Sequence, residues 1–432
     1  MMENWPRCLL PEVVTFQEGP GILAKDFHET GIPLVRLSGL GGYEVTLDGC
    51  NYVSEEKGTT KWKHFRLNKG DILISTSASF GRPAVVGDEA VGALFYTGII
   101  RFRSSSPRLD EGYLKLFLGS QPFSLQASAV ASGSVIQHYG PSHLKRMTID
   151  LPPIVVQRHI AAVISAIDEK IELNRQTNET LEASARALFR DWFVDFGPTR
   201  AKAEGRPAYL APDLWSLFPG QLGIDGVPEG WSVYTLGDLA DQHTGSINPA
   251  RSGDEVFEHY SLPAFDNGAS PSLDRGDTIK SNKTLLPANA VLLSKLNPEI
   301  SRVWMPTSAK DAKQVASTEF LTFVPRAPAG RSLLFAMFRD ATFRQIMEGM
   351  VTGTSKSHQR ISPPALRAVN ALTGAPAIFE AFERFASPMM EQMLANRIAS
   401  RSLAGTRDAL LPEMMSGKIR VADVRSQAST SL

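Results

Sequence analysis

The feature that most constrains this chain is a repeat of very long period. Two segments, Ile154 to about Phe193 and Ala377 to about Met415, read as long helices, each with a seam at alternating spacings of four and three. In the first the seam is Ile160, Ile164, Ile167, Ile171, Asn174, Asn178, Leu181, Ala185, Leu188 and Trp192. In the second it is Phe382, Ala386, Met389, Met393, Asn396, Ser400, Leu403, Arg407, Leu410 and Met414. Both are apolar at the ends and polar in the middle, a heptad pattern. They superpose at a constant offset of 222, which sets Asn174-Arg175 on Asn396-Arg397, Leu181 on Leu403 and Ala187-Leu188 on Ala409-Leu410. One such stripe is the ordinary core face of a helix. Two that share identities in register imply a duplicated chain.

The segments ahead of each helix correspond more loosely. A turn and an apolar strand ending in a hydroxyl occur at Gly70 to Ser75 and at Asn289 to Ser294. Gly81-Arg82 answers to Ser301-Arg302, and Gly133-Ser134 to Gly353-Thr354, each of the latter opening a polar loop with His138 or His358. Many short Val/Ile/Leu/Phe runs broken by Gly, Pro and Asn, with one helical stretch each (Gly112 to Ala131, Arg331 to Met350), give an α+β reading. The predicted order is a mixed domain over residues 1–150, a helix over 151–196, a Gly/Pro/charge-rich linker over 197–230, a second mixed domain over 231–373, a second helix over 374–420 and a polar tail over 421–432.

Two helices with matching seams pair with each other, because an isolated seam leaves large apolar side chains in water. About 38 residues of helix is ~57 Å, so the pair acts as a ruler. Under a pseudo-twofold the helices run antiparallel and Asn174/Asn178 meet Asn396/Ser400 in register-fixing hydrogen bonds. Pro388 is expected to kink the second helix or mark a restart. Two similar but non-identical domains held at a fixed spacing suit a long regular partner. Duplex DNA fits, since half-sites on one face recur about every 34–36 Å, and the target would be asymmetric.

Composition closes off other classes. Lys+Arg (45) balance Asp+Glu (45), so any basic face is a matter of arrangement. That balance holds locally, 15 against 15 over residues 1–150 and 16 against 16 over 206–373. Two cysteines, Cys8 and Cys50, supply neither a disulfide framework nor a cysteine zinc site. With no leader-like start and no apolar run approaching ~20 residues, a soluble, cytoplasmic protein with no membrane partner is expected.

In the helices the sequence becomes specific. Leu151-Pro-Pro-Ile-Val-Val-Gln157-Arg-His-Ile160, Ile171-Glu-Leu-Asn174-Arg175 and Ala187-Leu-Phe-Arg-Asp-Trp-Phe-Val-Asp-Phe196 resemble the central spacer helix of type I restriction-modification specificity subunits. Ala395-Asn-Arg397 and Arg407-Asp-Ala-Leu-Leu-Pro412-Glu-Met-Met-Ser-Gly417 resemble that family's C-terminal spacer. The resemblance implies a non-catalytic subunit whose two target recognition domains read an interrupted DNA sequence. Its paired antiparallel coiled-coil spacers would dock two methyltransferase subunits, with motor-nuclease subunits joining. It also implies that S-adenosylmethionine, ATP and Mg²⁺ belong to partner subunits and none to this chain. Two positions depart from the pattern. The first domain opens on Leu9-Leu-Pro-Glu-Val-Val14 where the second has Trp231-Ser with Leu236-Gly-Asp238, and the second Leu-Pro-Pro is degraded to Gly374-Ala-Pro376.

No catalytic or metal constellation stands out. Gly349 to Lys356 has the glycines and lysine of a phosphate loop at the wrong spacing. Asp48 with Glu55-Glu56-Lys57 has nuclease-like spacing but no counterpart in the second domain, so a solvated charged loop is the better reading, with a single-chain nuclease as the competing one. A scaffold that never touches DNA is the other alternative. The DNA-contacting candidates are Arg36, Ser75, Thr76, Ser77, Arg82, Ser134, Gln137 and His138 in the first domain. In the second they are Ser294, Lys295, Asn297, Arg302, Thr354, Lys356, Ser357 and His358. These residue types reach base edges and phosphates. The outer helix faces (Arg158, Glu169, Arg175, Glu179, Arg186, Arg190) would dock partners, with Phe189, Phe193 and Phe196 as candidate anchors and Trp192 read as core.

Overall fold

The computed structural model describes residues 5–76, 83–130, 139–307, 312–351 and 359–419, the side chain of Val130 excepted. The contacts divide the chain into two units: Met1–Leu173 with Ser400–Leu432, and Asn174–Ala399. The expected module boundaries change accordingly. The long helices, Ile154–Phe193 and Pro376–Met415, are not separate modules, since each gives part of its length to each unit.

In the first unit, strand Arg7–Leu9 pairs antiparallel with Thr148–Asp150, tying the start of the domain to the residues just ahead of the first long helix. A four-stranded antiparallel sheet follows in the order Val14–Glu18, Ile99–Ser104, Ile72–Ser75, Ala84–Val85. A three-stranded sheet centres on Ile32–Val35, antiparallel to Asn51–Val53 and parallel to Leu94–Phe95. In the second unit the opening pair is Ser232–Thr235 with Asn370–Gly374. Its four-stranded sheet runs Ala240–His243, Phe320–Pro325, Val291–Ser294, Val303–Trp304. In its five-stranded sheet, centred on Lys313–Ala316, the strand Val256–Tyr260 is antiparallel to Ser272–Arg275 and parallel to Lys313–Ala316.

The strands Ile72–Ser75 and Val291–Ser294 are continuous apolar runs because both faces are covered. Ile72 and Ile74 face the cluster of Tyr113, Phe117 and Phe123, while Leu73 faces Val35 and Phe95. Val291 and Leu293 pack with Leu333 and Phe335, while Leu292 faces Tyr260, Trp304 and Phe320. The period of two along a strand makes this division.

Each expected single helical stretch is in fact two helices. Glu111–Leu118 and Gln121–Val130 are divided at Gly119-Ser120, and Arg331–Arg339 and Ala341–Gly349 at Asp340. Asp340 leaves helical geometry and its carboxylate accepts from the Thr342 amide at 2.8 Å, capping the second of the pair.

Every seam position of both long helices is buried or half-buried. In the first unit Ile160 and Ile164 share a core with Met414 and Met415, and Arg407 Nη1 donates to Asp168 Oδ1 at 2.8 Å. In the second, Phe382 stacks against Phe189, Trp192 and Phe193 with ring centroids 5.6–6.1 Å apart. There Asn396 Nδ2 donates to Asn178 Oδ1 at 2.9 Å. Within each unit, therefore, the two helices run antiparallel. The expected restart at Pro388 does not occur: the helix is continuous from Pro376 to Met415. Pro388 itself is exposed, and the burial of Ala386, Met390 and Met393 around it supplies the packing that outweighs one lost helical hydrogen bond.

The predicted linker is also corrected. Residues 197–230 include helices Gly197–Ala203 and Pro212–Ser216. Thr199 and Ala201 are fully buried, and Phe218 packs on Trp192 at 5.3 Å and Trp231 at 6.2 Å. Gly and Pro here start and stop short helices that roof the aromatic end of the first long helix.

Candidate nucleic-acid interface

Two polar residues of the long helices fix the helices that follow each sheet. Gln157, fully buried, accepts from the Asp110 amide at 2.9 Å and donates to the carbonyls of Arg108 and Pro152 at 2.8 Å each. Glu383 accepts from the amides of Leu333 at 2.6 Å and Ser332 at 3.4 Å, capping Arg331–Arg339 in place of Gly330, which has no side chain to do so. A methyl group on Gly330 would lie 2.1 Å from Glu383 Cδ, so glycine is what lets the carboxylate reach these amides.

On the first unit's three-stranded sheet, Arg36 follows Val35 and lines an open cavity of about 440 Å³ together with Leu37, Ser38, Gly49, Asn51, Tyr96 and Thr97. The Arg36 guanidinium lies over the Tyr96 ring at 4.2 Å, and its Nη1 donates to Asn51 Oδ1 at 2.7 Å. Tyr96 is held at both ends, its amide donating to Val35 O at 3.1 Å and its hydroxyl to Ile22 O at 3.2 Å. Gly49, at φ +62°, lies so close to Ser38 that an added methyl would meet its Oγ at 2.9 Å.

The strand-end hydroxyls have a different place from the expected one. Ser75, Thr76 and Ser294 are 9%, 3% and 3% exposed. Thr76 Oγ1 donates to Gly98 O at 3.3 Å, and Ser294 Oγ bridges Leu296 O at 3.0 Å and Leu296 N at 3.2 Å. The hydroxyls of Thr76 and Ser294 hold turns inside the fold, and Ser75 is buried with them, instead of standing on a surface where a base edge could meet them.

Lys295 and Asn297 are half-buried in the loop that follows. Backbone bonds tie the loop down, Lys295 N to Glu319 O and Asn297 N to Gln359 O, both at 3.0 Å. Asn297 is left-handed at φ 49°, and its Oδ1 is buried with no hydrogen-bond partner among the described residues. Arg302 grips Asp266 through Nε at 2.7 Å and Nη2 at 2.9 Å, while its Nη1 is likewise buried without a partner. Ser77, Arg82, Ser134, Gln137, His138, Thr354, Lys356, Ser357 and His358 lie outside the described residues.

The remaining expectations divide between surface and core. Arg158, Glu169, Arg175, Glu179, Arg186 and Arg190 are exposed. Phe189, Trp192 and Phe193 are core, which removes Phe189 and Phe193 as partner anchors, and Phe196 packs edge-on against Trp231 at 5.7 Å. Lys57 donates to Asp26 Oδ1 at 2.5 Å and the Asp48 carboxylate accepts from Thr46 Oγ1 at 3.1 Å, so both are already engaged apart from each other. Among the described residues no three His, Cys, Asp or Glu side chains are grouped to hold a metal ion. In the second unit His259 Nδ1 lies 2.8 Å from Asp274; burial pushes the imidazole down, and the Asp274 hydrogen bond opposes that. Sequence reasoning missed Asn51 and Tyr96, which sit 15 and 60 residues beyond Arg36 and carry no shared motif with it.

The architecture defines a class: two mixed α/β units organised on two long helices. Residues 2–183 match the family described as the Type I restriction modification DNA specificity domain. The HindI specificity subunit of Haemophilus influenzae is 24% identical over 408 residues, covering 82% of this chain and 87% of that one. The MjaIX specificity subunit of Methanocaldococcus jannaschii is 25% identical over 425 residues, 94% of this chain and 90% of that one. In fold, the crystal structure of the type I restriction-modification S subunit from M. genitalium matches with a TM-score of 0.55 at 13% identity, covering 95% of this chain and 96% of that one. The chain is similar to the type I restriction-modification specificity subunits, through the family match over residues 2–183 and these relatives over most of its length. Among the described residues no helix is long and apolar enough to cross a membrane.

Proposed function

We propose that this chain reads an interrupted, asymmetric sequence in duplex DNA. Each mixed unit takes one half-site, and the paired helices act as coiled-coil spacers that set the gap. The observation that carries this reading is the matching strand order of the two four-stranded sheets, with a shared antiparallel–parallel trio in the second sheet of each unit, combined with different side chains at matching places, which supports an internal repeat with two distinct specificities. Arg36 and Tyr96 follow the parallel strands Ile32–Val35 and Leu94–Phe95. Ser261 and Ser317 follow the corresponding strands Val256–Tyr260 and Lys313–Ala316. The chain would direct two adenine methyltransferase subunits, and motor-nuclease subunits with them, to that sequence in the cytoplasm. S-adenosylmethionine, ATP and Mg²⁺ would be used by those partners, and catalysis would be theirs.

The test is a genome-wide map of modified adenines in the source strain with the gene intact and deleted. Loss of one interrupted, asymmetric motif on deletion is expected. Exchanging residues 231–373 for those of a relative should then alter one half of the motif only. Where the chain still co-purifies with a methyltransferase, a map unchanged by deletion overturns the DNA reading in favour of a scaffold.

A further inference from the structure

Resting on the DNA reading above, we propose that Arg36 is a specificity-determining residue that reads a guanine in the half-site taken by the first unit. The Arg36 side chain is oriented before any ligand arrives. The Tyr96 ring lies 4.2 Å beneath the guanidinium and the Phe27 ring 5.9 Å away, and Asn51 takes up Nη1. Among the described residues Nε and Nη2 make no hydrogen bond, and Arg36 lines the open cavity. A guanidinium held in one plane with two parallel N–H groups to spare matches the paired acceptors O6 and N7 on the major-groove edge of guanine. A phosphate can take the same two N–H groups in a bidentate grip, so the two uses differ in what they do to sequence preference and not in the fork itself. Arg36 is half-buried, stacked and tethered, and its platform is itself locked through the Tyr96 hydroxyl and amide.

The surroundings fit a base edge. Leu37, 53% exposed, follows Arg36 at the lip of the cavity, where an apolar side chain can meet a neighbouring thymine methyl. The corresponding position in the second unit is Ser261, whose Oγ is spent on capping Leu262–Asp266 through the Ala264 amide at 3.2 Å. A guanidinium here is thus particular to one unit, as a base-reading residue of an asymmetric target must be.

The experiment maps methylated motifs in cells carrying the full set of partner genes with the wild-type chain, Arg36→Gln or Arg36→Lys. Wild type should give an interrupted motif with a guanine at a defined position in one half. Arg36→Gln should relax that position or turn it toward adenine, shifting relative methylation at that base by about 10-fold, since glutamine pairs with adenine N6 and N7. Arg36→Lys should retain part of the guanine preference, and the other half-site should be untouched by either change, which also reports that the chain is folded. Unaltered letters with methylation lowered evenly at all sites would assign Arg36 to phosphate and overturn the inference. So would loss of methylation with both variants while the purified chains keep the wild-type circular-dichroism melt. A wild-type chain that directs no motif would instead sink the DNA reading itself.

Discussion

Asn396, 9% exposed, lies in the polar middle of its seam, and its amide is used at both ends. It donates to Asn178 Oδ1 at 2.9 Å and accepts from Gln392 Nε2 at 2.8 Å. A slip by one turn toward Leu181 would set Asn396 against an apolar side chain in place of Asn178, so the pair acts as a register mark. Asn396→Ala leaves two polar groups unmatched and should cost about 1–3 kcal/mol in urea unfolding. Leucine at both 178 and 396 should recover most of that stability while letting the helices pair in more than one register, detectable by cysteine cross-linking along the seam. A second residue-scale device is Lys115, whose ammonium lies over the Tyr43 ring at 3.0 Å. Burial pushes its pKa down to about 8, against the opposing pull of Asp168, Glu169 and Glu44. The folded chain gives up this proton near pH 8 while an unfolded lysine holds it to about pH 10.4, so between them the unfolded state binds more protons and stability rises with pH. Lys115→Met should remove that rise, measured by denaturant unfolding between pH 8 and 10. Above that range the buried phenols of Tyr113 and Tyr139, both pushed up by burial, act in the opposite sense.

At the scale of elements, the segment after the first long helix is the sharpest departure from a connector. Phe218 is 2% exposed against Trp192 and Trp231. Phe218→Ala should therefore destabilise the second unit by about 3 kcal/mol in a melt, as a core phenylalanine does, whereas a linker residue would be indifferent. This also shows what could be read in advance. The helix Ile154–Phe193 was legible to the residue because a seam sustained over many heptads has few other uses. Residues 197–230 were not, because the signal that folds them, Phe218 meeting Trp192 and Trp231, lies between positions far apart in sequence. The strand-end hydroxyls are ambiguous in sequence for a related reason: Ser75 and Ser294 sit at the end of a strand whether they face a groove or the interior, and only burial separates the two. Arg36 shows the converse. Its type and position could be picked out, but its orientation depends on Asn51 and Tyr96, brought to it by neighbouring strands.

At the scale of the whole molecule, the balance of 45 basic and 45 acidic residues bears on binding. Counterion release follows the number of phosphates contacted, and with no basic surplus in either globular segment few are expected here, so under the proposed function the chain's own affinity for duplex should be weak and only shallowly dependent on salt. Together with its methyltransferase partners the slope of log K against log salt should become steep, because more phosphates are then neutralised. Fluorescence anisotropy across a salt series, with and without the partner, measures both slopes; equal slopes would contradict the division of labour.

The first unit is built from two stretches of chain, with Met414 and Met415 filling the same core as Ile160 and Ile164. During synthesis the ribosome therefore makes nearly all of that domain early, yet its apolar floor stays uncovered until some 240 further residues have emerged. The second unit, contiguous in sequence, can close first. A nonsense mutation shortly before residue 400 would thus do its harm at the beginning of the protein, leaving the late-encoded half intact and the early-encoded half without its last wall.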